Sequence, residues 1–146
     1  MNKSVGFTLI ELMITISIFA ILIGIGVPSY QKTVQQSRMD DATTLINNAL
    51  SYAKNTAIAH NRTLYMATAG TVLTLTTSDA DVVNKTTITT DSNSTLSFIA
   101  PGVPMIIFRA NGTVAAGNII RYCSGDSGIE VVVGINGDPV ITSVSC

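Results

Sequence analysis

At 146 residues the chain has room for one modest domain and an additional helix. Charged residues make up only 12% and the formal net charge is -1, so nothing draws the chain electrostatically to nucleic acid or to an anionic membrane surface. The lack of Trp and the 5% aromatic content argue against a stacking platform for bases, and two Cys far from the N-terminus suit an oxidising compartment.

The first predicted element is an apolar run from Phe7 to Val27. About 20 helical residues at about 1.5 Å each cross the roughly 30 Å core of a bilayer. Glu11 interrupts this run, and an unpaired carboxylate in hydrocarbon costs about 3 kcal/mol on insertion scales. No Lys, Arg or His lies within the run to offset it. Cutting the chain before Phe7 would free an α-amino group, positive at neutral pH and one helical turn from Glu11. Such an amine and carboxylate pair within one chain, or between chains packed side by side with an axial stagger. A secretory signal would be cut behind its apolar region at an A-x-A-like site. Here that region closes on Gly24-Ile25-Gly26-Val27-Pro28, so the helix is expected to stay in the mature protein. Gly24, Gly26 and Pro28 weaken a helix interior and predict a hinge or kink.

Helical periodicity resumes from Ser29 to about Asn61. Tyr30, Val34, Ala42, Leu45, Ile46, Ala49, Leu50, Ala53, Ala57 and Ile58 recur at steps of three and four, with polar residues such as Gln35, Asp41, Asn47 and Lys54 mostly on the other face. One long helix from Phe7 to about His60 follows, closed by the basic residues Lys54, His60 and Arg62, which suit a helix C-terminus. The period then changes to two. Strands are predicted at Thr63–Thr68, Thr71–Thr76, Leu96–Ile99, Met105–Phe108, Asn118–Cys123, Glu130–Ile135 and Val140–Val144. Turns fall at Ala69-Gly70, Pro101-Gly102, Asn111-Gly112 and Asn136-Gly137, and Ser124–Gly128 reads as a loop. Ser78–Ser94 reads as an exposed loop with a short strand at Thr86–Thr90. Its acids Asp79, Asp81 and Asp91 match no calcium-loop spacing, so no metal is expected. The layout is α+β, with an antiparallel sheet folded over the apolar stripe of the helix. Cys123 and Cys146 are expected to form a disulfide. Closing about 24 residues stabilises by roughly 3 kcal/mol in the chain-entropy model. No catalytic triad, acid pair, phosphate-binding loop or cofactor motif is present, and the four Asn-x-Thr sequons arise easily in so Asn- and Thr-rich a chain.

Met1–Gly6 carries Lys3 and ends in Gly, and Gly6-Phe7-Thr8-Leu9-Ile10-Glu11 follows with the apolar run behind it. This stretch resembles the processing site of the type IV prepilins. The resemblance implies a leader at 1–6, a filament-core helix at 7–28, an amphipathic helix at 29–62 and an antiparallel β-domain at 63–146. It implies that a membrane-embedded prepilin peptidase cuts between Gly6 and Phe7 and methylates the Phe7 amine. Glu11 would then pair with the terminal amine of a neighbouring subunit, and Pro28 falls where the family usually carries its Pro. Ala49–Ile58, Ile107–Gly112, Asn118–Cys123 and Gly134–Gly137 are more loosely similar to FimT/FimU-type minor pilins and H-type minor pseudopilins. Some of these bind DNA through basic residues after the last hairpin. Here Asp138-Pro139 stands in that place, so contact through Arg109 and Arg121 is not the favoured reading.

Two settings are thus expected. One is a minor pilin that helps to start a type IV pilus used for twitching, adhesion or DNA uptake. The other is the minor pseudopilin H of a type II secretion system. A DNA receptor and a major shaft subunit are the further alternatives. Partners would be other pilins through the N-terminal helix, the peptidase, an inner-membrane assembly platform and inner-membrane lipid. The chain would cross the inner membrane once, with its β-domain in the periplasm, before entering the filament.

Overall fold

The computed structural model describes residues 7–88, 94–99, 105–115 and 118–146, the last segment beginning with the backbone alone of Asn118. Met1–Gly6, the Thr89-Thr90 end of the expected strand, Asp91, Asn93 and the Pro101-Gly102 turn lie outside the described residues. The chain divides into two compact units, residues 1–36 and 37–146.

Helix α1 runs from Leu9 to Ala59, through Gly24, Gly26 and Pro28 without interruption. Over residues 9–33 it is exposed on every side, which leaves Leu9–Val27 an apolar rod broken only by Glu11 and a few hydroxyl and glycine positions. Pro28 has no N–H to give the Gly24 carbonyl, so this turn is the weakest point of the backbone ladder although it stays helical.

In the second unit α1 becomes one-sided. Met39, Ala42, Ile46, Ala49, Leu50, Ala53 and Ala57 are buried, and the four alanines let the strands approach the helix closely. Tyr30 and Ile58, expected on this stripe, are instead exposed at 71% and 47%, and Met39 takes the first core position. Asn47, expected on the polar face, is half-buried. The helix ends in a Schellman motif: Arg62 N–H donates to Ala57 O and Asn61 N–H to Ile58 O, each at 3.1 Å. Asn61 adopts the left-handed conformation this requires, with φ 47°.

Among the described residues nine strands follow: β1 (Leu64–Ala69), β2 (Val72–Thr76), β3 (Val82–Thr87), β4 (Ser94–Ile99), β5 (Met105–Phe108), β6 (Val114–Ala115), β7 (Asn118–Ser124), β8 (Ser127–Val133) and β9 (Pro139–Ser145). They form two antiparallel sheets, not the single one expected: a five-stranded sheet in the order β3-β2-β1-β5-β6 and a four-stranded sheet in the order β4-β7-β8-β9. Leu64, Met66, Leu73, Leu75, Ile106 and Phe108 of the first sheet share the core with Leu96, Ile120, Tyr122, Ile129, Val131 and Val133 of the second. Tyr122 is fully buried, and its hydroxyl reaches Ser94 Oγ at 3.3 Å.

Three further expectations are corrected. The Ser78–Ser94 segment holds a full strand, β3, because Val82–Thr87 pairs with β2 earlier than Thr86–Thr90 would allow. The Ser124–Gly128 loop is a tight turn, since Ser124 already pairs with Ser127. Strand β8 therefore starts at Ser127 and stops at Val133, where Gly134 N–H donates to Asp138 O and the chain reverses.

Candidate functional site

The chemistry-bearing end of the molecule is the start of α1. Thr8 Oγ1 accepts a hydrogen bond from Glu11 N–H at 3.3 Å, and Thr8 O accepts from Leu12 N–H at 3.2 Å. Thr8 is therefore the N-cap. Its spacing to Glu11 is that of a capping box, a signal that apolar periodicity does not reveal. The carboxylate of Glu11 stands in the first helical turn, where the macrodipole favours a negative charge. Among the described residues no side chain pairs with it. The other polar groups of the run are satisfied inside the helix, Thr15 Oγ1 donating to Leu12 O at 2.8 Å and Ser17 Oγ to Met13 O at 2.7 Å. Glu11 is thus the one acidic group in an otherwise self-satisfied apolar segment, and it lies one turn from Phe7, which is 80% exposed. The helix is long and apolar enough to cross a membrane.

The four-stranded sheet carries a second constellation. Cys123 on β7 is joined to Cys146, beyond the end of β9, by a disulfide. Cys123 pairs with Gly128, and Gly128 with Val144, so the bond passes over the intervening strand β8. A Cβ on Gly128 would overlap Cys146 Sγ, lie 2.6 Å from Tyr122 O and 3.1 Å from Cys123 Sγ. Only glycine leaves room for this crossing.

Arg121 stands on β7 of the four-stranded sheet, and Arg109 just beyond β5 of the five-stranded one. Arg109 is exposed in the turn after β5, with its backbone bonded to Thr113 and Gly112. Arg121 faces Glu130 across the β7–β8 ladder, and its Nε and Nη2 both donate to Glu130 Oε1. Asp138 forms a 3.1 Å ion pair with Lys54 of α1. Lys54 therefore does not join His60 and Arg62 at the helix end. The turn glycines Gly112 and Gly137, both at positive φ, lie against Ile58 and Lys54, so two hairpin tips rest on the last turns of the helix.

The prokaryotic N-terminal methylation motif matches residues 1–27, and the family of the type II transport protein GspH matches residues 42–138. A fimbrial protein of Moraxella nonliquefaciens is 42% identical over 62 residues, 42% of this chain and 37% of that protein. The prepilin peptidase-dependent protein D of Escherichia coli (strain K12) is 51% identical over 41 residues, 28% of each chain. The matches thus span little more than a third of these relatives' length at most. The fold is similar to the type IV minor pilin FimU of Pseudomonas aeruginosa, with a TM-score of 0.59 at 21% identity over 77% of this chain and 90% of that one. It is also similar to the minor pseudopilin EpsH from the type 2 secretion system of Vibrio cholerae, with a TM-score of 0.51 at 15% identity over 71% and 93%. The architecture, one long N-terminal helix packed on antiparallel sheets, is the type IV pilin fold.

Proposed function

The chain belongs to the family of the type II transport protein GspH, and from that premise we propose that it is a minor pilin, a structural subunit that helps to start a bacterial type IV pilus. The family is one of structural pilins and pseudopilins, not of enzymes. The observation that carries the proposal is the Glu11 carboxylate, set in the first turn of an exposed apolar helix behind the Gly6–Phe7 junction.

Removal of residues 1–6 by the peptidase leaves the Phe7 amine, which the same enzyme methylates. The helix from Leu9 to Val27 holds the subunit in the inner membrane with its β-domain on the periplasmic side. There Glu11 is costly, at about 3 kcal/mol if unpaired. Lipid tails are as apolar as the helix itself, so burial of apolar surface gives little drive from bilayer to filament. The ion pair between Glu11 and a neighbour's Phe7 amine supplies the missing selectivity and sets the axial stagger. Glu11→Ala is expected to leave a processed protein held in the membrane and absent from sheared filaments. Normal incorporation of that variant overturns the pairing role, and a mature N-terminus other than methylated Phe7 overturns the processing.

The family's description favours a second setting, the type II secretion pseudopilus. Deleting the gene separates the two: loss of surface pili with secretion intact supports the first reading, and the reverse supports the second. Contact with DNA has less support, because Arg121 is engaged by Glu130. A DNA shift at low salt that vanishes when Arg109 and Arg121 become Ala would revive it.

A further inference from the structure

A strand at the edge of a sheet presents unpaired main-chain N–H and C=O groups, and proteins blunt such edges with lysine, bulges or brevity. The five-stranded sheet follows this rule at both ends. Strand β3 presents exposed Lys85 and slips register against β2 between Leu75 and Thr76, and β6 has two residues. Strand β9, an edge of the four-stranded sheet, does not follow it. All seven of its residues pair with β8, none is buried, and none is charged. Its proline, Pro139, is the first residue, where a strand tolerates one. The disulfide over Gly128 and the bond from Cys146 N–H to Asp126 O at 3.1 Å fasten its far end.

We propose that β9 is a self-association edge, pairing antiparallel with β9 of a second copy of this chain about a two-fold axis through Thr142. The register selects this occupant. Centred on Thr142, the outward residues are symmetric: Val140 meets Val144 and Thr142 meets its own copy, while Ile141 meets Ser143 on the other face and Pro139 meets Ser145 at the ends. On the outward face the pairs are Val on Val and Thr on Thr, the β-branched combinations that cross-strand packing favours, and no like charges oppose one another. The outward face is also continuous with an apolar row. Ile99, Ile119, Val132 and Val140 are successive partners across all four strands, and Val140, at its open end, is 61% exposed. A second copy brings Val144 against that end. Such an isologous contact closes at two copies, so an uncharged edge used this way does not template open-ended aggregation.

The test uses the full chain in detergent micelles, with a benzophenone side chain in place of Val140 and isotopically light and heavy copies mixed before illumination. A light–heavy cross-link from position 140 to the 142–146 stretch of another copy is expected. Thr142→Lys or Thr142→Glu alone sets like charges face to face at the axis and should lower the yield about fivefold. Mixing the two variants should restore it. Thr142 is exposed, so either change leaves the core intact. No light–heavy link to β9, a yield indifferent to the charges, or no recovery on mixing overturns the proposal.

Discussion

Gly128 shows how one residue licenses a covalent feature elsewhere. The disulfide must cross β8 to join β7 to the end of β9, and the crossing point is where a side chain would stand in its way. Gly128→Ala sets a methyl group against both sulfurs and the Tyr122 carbonyl. The expected result is a chain purified with free thiols and destabilised by about 3 kcal/mol, the magnitude of the lost cross-link. Thiol titration of the unreduced, denatured protein checks it. Full oxidation with an unchanged melt would show that the crossing tolerates a side chain. The Arg121–Glu130 pair sets the opposite scale. Arg121 is 41% exposed, so Glu130→Gln should cost no more than about 1 kcal/mol in a denaturant melt. The two Cys are visible in the sequence, but the need for a glycine beneath them is not. Its role depends on which strand lies between β7 and β9, and that is a matter of pairing order.

At the scale of elements, what local pattern dictates is legible in the sequence and what pairing dictates is not. The helix can be read because its stripe repeats at three and four, and its end, expected at about His60, because that repeat then gives way to a period of two. The strand β5 is legible to the residue, since Met105–Phe108 is a short apolar run between turn signals. The strand β3 starts earlier than local pattern suggests. Its Val82-Val83-Asn84-Lys85 sequence has no strong alternation, and its pairing with β2 makes it a strand. The division into two sheets is likewise hidden, because alternation marks inward and outward faces but not which sheet a strand joins. The N-terminal motif is the most readable part, yet the Thr8 cap beside Glu11 emerges only with the helix start in view. Of the residues expected to form a hinge, Gly24 and Gly26 have nothing within 4 Å of where a Cβ would stand, so alanine fits at both. Each change to Ala should stabilise the helix by about 1 kcal/mol. If filament entry requires this zone to loosen, the double variant Gly24→Ala/Gly26→Ala will be processed normally but enter filaments poorly. Unimpaired entry would remove the hinge role.

For the whole molecule, the two units answer to different solvents. The core draws its helical residues from Met39 onward, and the remainder from the strands. Residues 7–33 contribute nothing buried. Every large apolar side chain from Leu9 to Val27 is at least half exposed, far beyond the apolar patch a soluble monomer carries. Residues 37–146 hold the sheets, the disulfide and the Lys54–Asp138 pair, each closed within that unit. That unit, expressed alone into an oxidising compartment, is therefore expected to be soluble without detergent and to melt in one cooperative transition. Reduction should lower its midpoint, since a loop of 23 residues' separation is then opened in the unfolded chain. The full chain should need detergent or lipid at any concentration where the shorter one is free. Aggregation of residues 37–146, or a melt that depends on the apolar segment, would mean that the first unit contributes to the fold and does not serve only as anchor and filament contact.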